Sequence, residues 1–452
     1  MFVNLHTFVL LFIDYTKSTR DSYSLMDLKL FYTKSKMEKI LISFLVFLCL
    51  FLSVSSAFDG GDFDVYLEAA YKLYHGHNPY LPPYAKDGMG YSYSPFFIMM
   101  LIPFTSNYFL TELTWCLLSL FFVYRSYRIF SFYLDIKFDN RSTYLVYVTL
   151  LVILSYQFLS NNIGMVQVTP FLLWIMLESI FQIQQRDRNA LGGLLLGIGI
   201  NIKILPIVML GYLFYRGYFK SFLIAIISFI LLFFAPAPFW GLDYNITLLK
   251  DWWIIINPTS AEHQVETGIG THSMVSFLPV YLSDTVGQLP YSRNILDLDL
   301  SVAIIVTNIV SALLVVMSLL YFRSFPFIRE VSNKKTIWEV SFFLLLIPLI
   351  FPHQQKYAFL LVLPMTAYIV YFFFNTWDIY KGRSFYRMVL FVFIISMIVY
   401  SPIHGSDILG KDLFKLSQHY RLITISTLLM IPISLFCSPR KLIETSYSLQ
   451  NK

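Results

Sequence analysis

Four carboxylates crowd the segment FDGGDFDVYLEAAYKLYHGHNPY, residues 58 to 80: Asp59, Asp62, Asp64 and Glu68. They follow directly on a long apolar run. A carboxylate held partly buried where water meets lipid is shifted toward the range of a general base, able to take a proton from a hydroxyl. The same crowding also reads as a rim of solvated charges, and Asp62-Phe63-Asp64 has the D-x-D spacing that holds a divalent cation on a sugar-nucleotide diphosphate. Asp297-Leu298-Asp299 repeats that spacing, so the three letters discriminate poorly. Basic groups stand elsewhere. Lys203 lies inside an otherwise apolar segment, and His353 and Lys356 share the turn Pro352-His353-Gln354-Gln355-Lys356-Tyr357. A lysine at the centre of an apolar span costs about 2.5–3.5 kcal/mol to insert, so it pairs, reaches the interface or does chemistry. His75-Gly76-His77 lacks a third ligand and reads as a polar turn rather than a metal site. Trp252-Trp253 suits an interfacial aromatic belt or a sugar-stacking platform, and Asn245-Ile246-Thr247 is a sequon.

The elements that must hold these groups are membrane helices. Hydrophobic residues make up 57% of the 452 and charged residues 13%, against about 25% charged in soluble domains. Mean hydropathy is +0.64. Apolar runs of about 20 residues recur from end to end, so the chain is an all-α polytopic membrane protein whose constant partners are membrane lipids. A soluble enzyme, a nucleic-acid binder and a disordered tail are excluded. Cys49, Cys116 and Cys437 all lie in apolar runs and build neither a disulfide framework nor a metal cluster.

The first span is residues 39 to 57, behind Met37-Glu38-Lys39. Residues 1 to 36 read as a non-native extension or a cytoplasmic tail, with Met37 the expected start. Further spans are expected near 107–124, 143–159, 167–183, 219–236, 301–322, 337–351, 357–374, 388–402 and 420–436. Between residues 190 and 215, Asn201, Lys203 and Pro206 interrupt an apolar stretch too long for one straight crossing and too short for two. The expected total is ten to twelve helices within residues 37 to 437. One alternating set of connecting segments, ending in the tail 438–452, holds 18 Lys and Arg against 6 acids; the other holds 7 against 14. The positive-inside rule makes the first set cytoplasmic and turns the long loops 58–94 and 237–300 outward.

The motif D-F-x-V-Y-x-x-A-A at 62–70, followed by Gly76-His77-Asn78-Pro79-Tyr80 and Tyr93-Ser94-Pro95-Phe96-Phe97, resembles glycosyltransferase family 87. These are polyprenyl-phosphate-mannose-dependent mannosyltransferases of the C-type fold. Gly164-Met165-Val166-Gln167-Val168 is similar to the family's G-Q-x segment. Gly192 to Gly197 and Lys203-Ile204-Leu205-Pro206 match its G-x-L-L-G and K-x-x-P. Thr271-His272-Ser273 stands where the family has N-Q-S, and the 352–357 turn where it has a His-rich turn before Tyr. The similarity covers about residues 58 to 370. It implies Asp62 as general base, with Asp64, at a variable position, second. It implies Tyr66, Gln167 and His272 as substrate-binding residues. The donor would be a polyprenyl-phosphate hexose, mannose by the resemblance, and the acceptor a glycolipid or lipid-linked glycan, met at the outer face of a plasma or inner membrane.

The chemistry of such a donor is consistent with these groups. A lipid phosphate leaves as an anion that needs no proton, so one base suffices and the paired carboxylates of a glycosidase are unnecessary. The departing anion needs donors, which Lys203, His353 and Lys356 supply. The scheme requires no metal and no cofactor. The rival reading is a transporter or flippase of lipid-linked sugars, which needs ionisable groups near mid-membrane that each face reaches in turn. Single cysteines at Ser260 and Ser332, in a background without Cys49, Cys116 and Cys437, should label from opposite sides of the membrane, Ser260 from outside; labelling from one side would remove the topology.

Overall fold

The computed structural model describes residues 36–83, 90–138 and 140–442. Of the expected extension over residues 1 to 36 only Lys36 falls among these, and of the expected tail only 438–442. The chain divides into two units, Met1–Val54 and Ser55–Lys452. Helix α1, Lys36–Asp59, runs through the boundary. The remaining elements lie in the second unit.

Among the described residues the regular elements are helical, apart from one antiparallel bridge between Thr271 and Gln355. The loop expected at 58–94 opens with a helix, α2 (Asp62–Tyr74), and is followed by a short one, α3 (Pro95–Leu101), started by the Ser94 side chain accepting from Phe97 N–H. Then come α4 (Tyr108–Leu134), α5 (Arg141–Gly164) and α6 (Thr169–Gln184). Asn107 and Asn140 cap α4 and α5, accepting from Leu110 N–H at 2.9 Å and Thr143 N–H at 2.7 Å. These bonds satisfy donors that the first helical turn leaves unpaired.

The interrupted stretch resolves into α7 (Asn189–Ile202) and α8 (Val208–Tyr215), with Lys203 extended between them and a 3₁₀ turn at Leu205–Ile207. Helix α9 (Phe219–Phe233) lies against α7. Close approach is possible because α7 is glycine-rich where they meet: a Cβ on Gly193 would stand 2.6 Å from Ser221 O, and one on Gly197 would stand 2.7 Å from Ser228 Cβ. The buried Asn201 amide spans the pair, donating to Gly197 O and Phe229 O.

The second long loop carries α10 (Leu242–Ile256) and α11 (Met274–Leu282) before α12 (Leu300–Val316). Helix α13 (Asn333–Ile350) is buried along almost its whole length. A 3₁₀ turn, Lys356–Val362, leads into α14 (Leu363–Tyr380), followed by α15 (Ser384–Tyr400), α16 (Lys411–His419) and α17 (Leu422–Phe436).

Every apolar run expected to span is helical here. Four helices are long and apolar enough to cross a membrane, Arg141–Gly164, Phe219–Trp240, Leu300–Phe322 and Lys356–Tyr380, and three bent pairs raise the number to seven among the described residues. The other runs give shorter helices: α6, α7 and α15 have 16, 14 and 17 residues. At about 1.5 Å per residue, fourteen residues reach about 21 Å, short of a hydrocarbon core of about 30 Å. The chain is an integral membrane protein of the all-α polytopic class.

Ion pairs tie these helices together in two places. Arg125 of α4 reaches Glu178 of α6 at 2.9 Å, and Gln182 donates to the same carboxylate at 2.6 Å. Arg216, just past α8, is fully buried and pairs with Glu339 of α13, while its remaining donors go to Ser324 Oγ, Ile328 O and Phe322 O. The guanidinium therefore fastens the 323–332 connection to α8 and α13. Removing Glu339 leaves the buried guanidinium only the more distant Glu330 carboxylate, 3.6 Å away. Glu339→Ala should lower stability by about 3–5 kcal/mol in thermal unfolding of the purified protein, whereas the paired change Arg216→Leu with Glu339→Leu should recover much of that loss.

Candidate active site

The chain makes a joint where α2 begins. Asp62 N–H donates to Met165 O at 3.2 Å, and the Gln167 side-chain amide donates to Asp62 Oδ2 at 2.5 Å. Both partners sit on the turn after α5, where Val166 takes a left-handed conformation with φ 47°. Gly61 permits the approach, since a Cβ there would lie 2.8 Å from Met165 O. The turn is braced in turn: Gln167 N–H donates to Asn162 O at 2.8 Å, and Trp115 of α4 donates to Gln167 O at 3.1 Å. Asp62 is half-buried. Its placement at the first residue of α2 puts the carboxylate at the positive end of the helix dipole, which favours negative charge.

One turn further along α2, Tyr66 is buried and its hydroxyl donates to Tyr93 Oη at 2.8 Å. Lys203 Nζ donates to the same Tyr93 oxygen at 3.3 Å and lies 5.1 Å from the Tyr93 ring centroid and 5.4 Å from that of Tyr357. The break between α7 and α8 thus delivers an ammonium to a pocket of aromatic faces, which attract a cation electrostatically. Tyr357 is itself held by Asn162, whose amide donates to its carbonyl at 2.9 Å. Asp62 and Tyr66 of one motif, and Gln167 and Lys203 of two others, are brought into one neighbourhood. Asp64 lies half-buried on the same first turn of α2, two residues from Asp62.

The 352–357 turn adjoins this neighbourhood through Tyr357. It pairs with the 271–273 segment by the Thr271–Gln355 bridge and by His272 N–H donating to Gln354 O at 2.8 Å. His353 is exposed, and its Nδ1 lies 2.8 Å from Glu266 Oε1. The Lys356 side chain makes no hydrogen bond or ion pair among the described residues, and its Nζ lies 5.4 Å from the Phe414 ring. His272 is fully buried. Burial first, then the charges of Arg421 and Lys356 and the neighbouring His404, hold its ring well below the ordinary histidine range. His404, on the loop after α15, is pushed down to about 4, by burial and then Lys356. Both imidazoles are therefore neutral at pH 7, suited to donating to and accepting from hydroxyl groups rather than to holding an anion by charge.

Three participants escape motif reading. Tyr93 was visible only as one aromatic of the S-P-F-F motif; its hydroxyl proves to be the shared acceptor. Glu266 is one acid of seven in its loop, with its partner 87 positions away. Arg421 donates to Glu266 O, Ile269 O and Ser276 O and so shapes the loop before α11. No group of three or more His, Cys, Asp or Glu side chains arranged to hold a metal ion occurs among the described residues. His75 and His77 flank a turn in which His75 Nδ1 meets Tyr71 O, and Asp297 is engaged by Asn294.

The family model described as glycosyltransferase family 87 matches residues 91–348, more than half of the chain. The matched stretch includes Tyr93, Gln167, Lys203, Glu266 and His272; Asp62, Tyr66, His353 and Lys356 lie outside it. No curated protein and no solved structure matches.

Tyr93→Phe tests the junction. It removes the acceptor of both Tyr66 and Lys203, so stability should fall by about 1–3 kcal/mol in thermal unfolding. Tyr66→Phe, which leaves Lys203 its partner, should cost less; equal effects would show that the lysine bond is not formed.

Proposed function

The chain belongs to glycosyltransferase family 87, and on that premise we propose that it is a hexosyltransferase using a polyprenyl-phosphate donor. The sugar is mannose and the scaffold the C-type fold, by the resemblance of its motifs. The acceptor is a hydroxyl of a glycolipid or lipid-linked glycan, and transfer takes place on the extracytoplasmic side, toward which the acid-rich loops turn by the positive-inside rule.

In this reading the acceptor hydroxyl attacks the anomeric carbon from the face opposite the phosphate. The new C–O bond forms as the bond to the phosphate oxygen breaks, the configuration inverts, and Asp62 takes the acceptor proton. The polyprenyl phosphate leaves with the electron pair of the broken bond. Negative charge growing on that oxygen is met by Lys203, with His353 and Lys356 from the adjoining turn. Gln167 holds one carboxylate oxygen of Asp62 and thereby orients the other. Tyr66 and the neutral His272 contact sugar hydroxyls.

The observation that carries this proposal is the placement of one carboxylate and one lysine, Asp62 and Lys203, against a common cluster of Gln167, Tyr66, Tyr93 and Tyr357. A base and an anion-stabilising cation in one neighbourhood are what a single displacement with an anionic leaving group needs. A transporter reading finds no comparable use for the fixed Asp62–Gln167 bond.

Asp62→Asn keeps the shape and removes the basicity. Turnover with a short-chain polyprenyl-phosphate mannose should fall about 10²- to 10⁴-fold while donor binding persists. Asp64→Asn should cost much less. Activity of both proteins and the unaltered one should survive chelator. Near-silence of both variants would leave the carboxylates as rim charges and favour transport, and a strict need for Mn²⁺ or Mg²⁺ would restore the D-x-D metal reading.

A further inference from the structure

Among the polar groups around the 352–357 turn, one carboxylate is built in rather than merely present. Glu266 has only 5% of its side chain exposed, against 52% for His353. One of its oxygens, Oε1, serves His353 twice: it accepts the main-chain N–H of His353 at 2.5 Å and faces Nδ1 at 2.8 Å. The other oxygen, Oε2, accepts from the buried Ser273 hydroxyl at 3.4 Å. Glu266 is also fixed through its backbone, donating to Val275 O at 3.2 Å and accepting from Arg421 Nη2 at 3.3 Å. His353 adopts φ 56°, a left-handed conformation uncommon outside glycine. That bend turns its amide and its ring toward the same oxygen. His263 closes one side of the ring, edge-on at 4.4 Å between centroids, and is held by its own Nδ1 on Asn257 O at 2.7 Å.

We propose that Glu266 is the positioning residue for His353, accepting from Nδ1–H and fixing the plane of the ring so that Nε2–H of the imidazolium form is presented as a donor to a phosphate oxygen of the lipid donor. Nε2 makes no hydrogen bond among the described residues and lies on a side chain half open to solvent. A carboxylate accepting from one ring nitrogen aims the other, and here it also holds the backbone that carries the ring. Glu266 touches no substrate in this arrangement; it acts through His353. The inference rests on the proposal that His353 meets the donor phosphate.

The test is a double-mutant cycle read as affinity for polyprenyl phosphate, measured by ligand-dependent thermal stabilisation of the purified full chain. His353→Ala should weaken binding about 10- to 100-fold, the range of one charge-assisted hydrogen bond lost, and Glu266→Gln about 3- to 10-fold, because there the bond is misaimed rather than removed. The double variant should bind no more weakly than His353→Ala alone, because the glutamate has nothing left to position. Ser273→Ala, which frees Oε2 but keeps the carboxylate, should shift affinity in the same direction by less. If the losses from Glu266→Gln and His353→Ala multiply in full, or if Glu266→Gln leaves affinity unchanged while His353→Ala weakens it, the inference falls and the donor-phosphate role of His353 stands. If His353→Ala is silent, that role falls and the inference with it.

Discussion

Helix α2 is tied at its first residue to the turn that follows α5. Asp62 provides both connections, one from its backbone amide and one through its carboxylate, so the group proposed to do chemistry is also the group that holds its element in place. From that joint the α-helical repeat carries Tyr66 inward to Tyr93, and Tyr93 meets Lys203 across the break between α7 and α8. Two phenols thus link the ammonium to the helix that carries the carboxylate. Without the joint, four motifs scattered over 140 positions would have no common frame.

A second constraint is the scarcity of charge. With 13% of residues charged, each buried ion must justify its desolvation, and the described pairs do so by binding segments together. Arg125–Glu178 joins α4 to α6, and Arg216–Glu339 joins α8, α13 and the 323–332 connection. Glu266 follows the same logic at a loop, using Arg421 behind it and His353 in front. Lys203 is different. Its partners are a phenol and two aromatic faces, which stabilise an ammonium without cancelling its charge.

The readable parts of the sequence were those where composition departs from its surroundings. Lys203 stands out in an apolar segment, the acids at 59–68 stand out after a span, and apolar runs of about 20 residues announce helices. The interruption at 201–206 showed as a mixture of Asn, Lys and Pro. The helical character of 62–74 did not show, because Asp62 and Asp64 read as loop residues although acids are favoured in a first helical turn. Glu266 could not be singled out: nothing local distinguishes it from Glu262 or Asp251, and its significance comes from a residue 87 positions later. The same holds for Arg421, whose four acceptors are all backbone carbonyls and so leave no trace in side-chain identity.

The contact between Gly61 and Met165 has a corollary for how such a chain drifts over generations. Met165 takes part through its main-chain carbonyl, so many side chains at that position would preserve the hydrogen bond to Asp62. Gly61 has no such latitude, with a methyl group already 2.8 Å from that oxygen. The two sides of one joint therefore carry unequal mutational burdens. A position that looks dispensable when side chains are compared is here an anchor, and its importance is recorded in the tolerance of its neighbour rather than in its own.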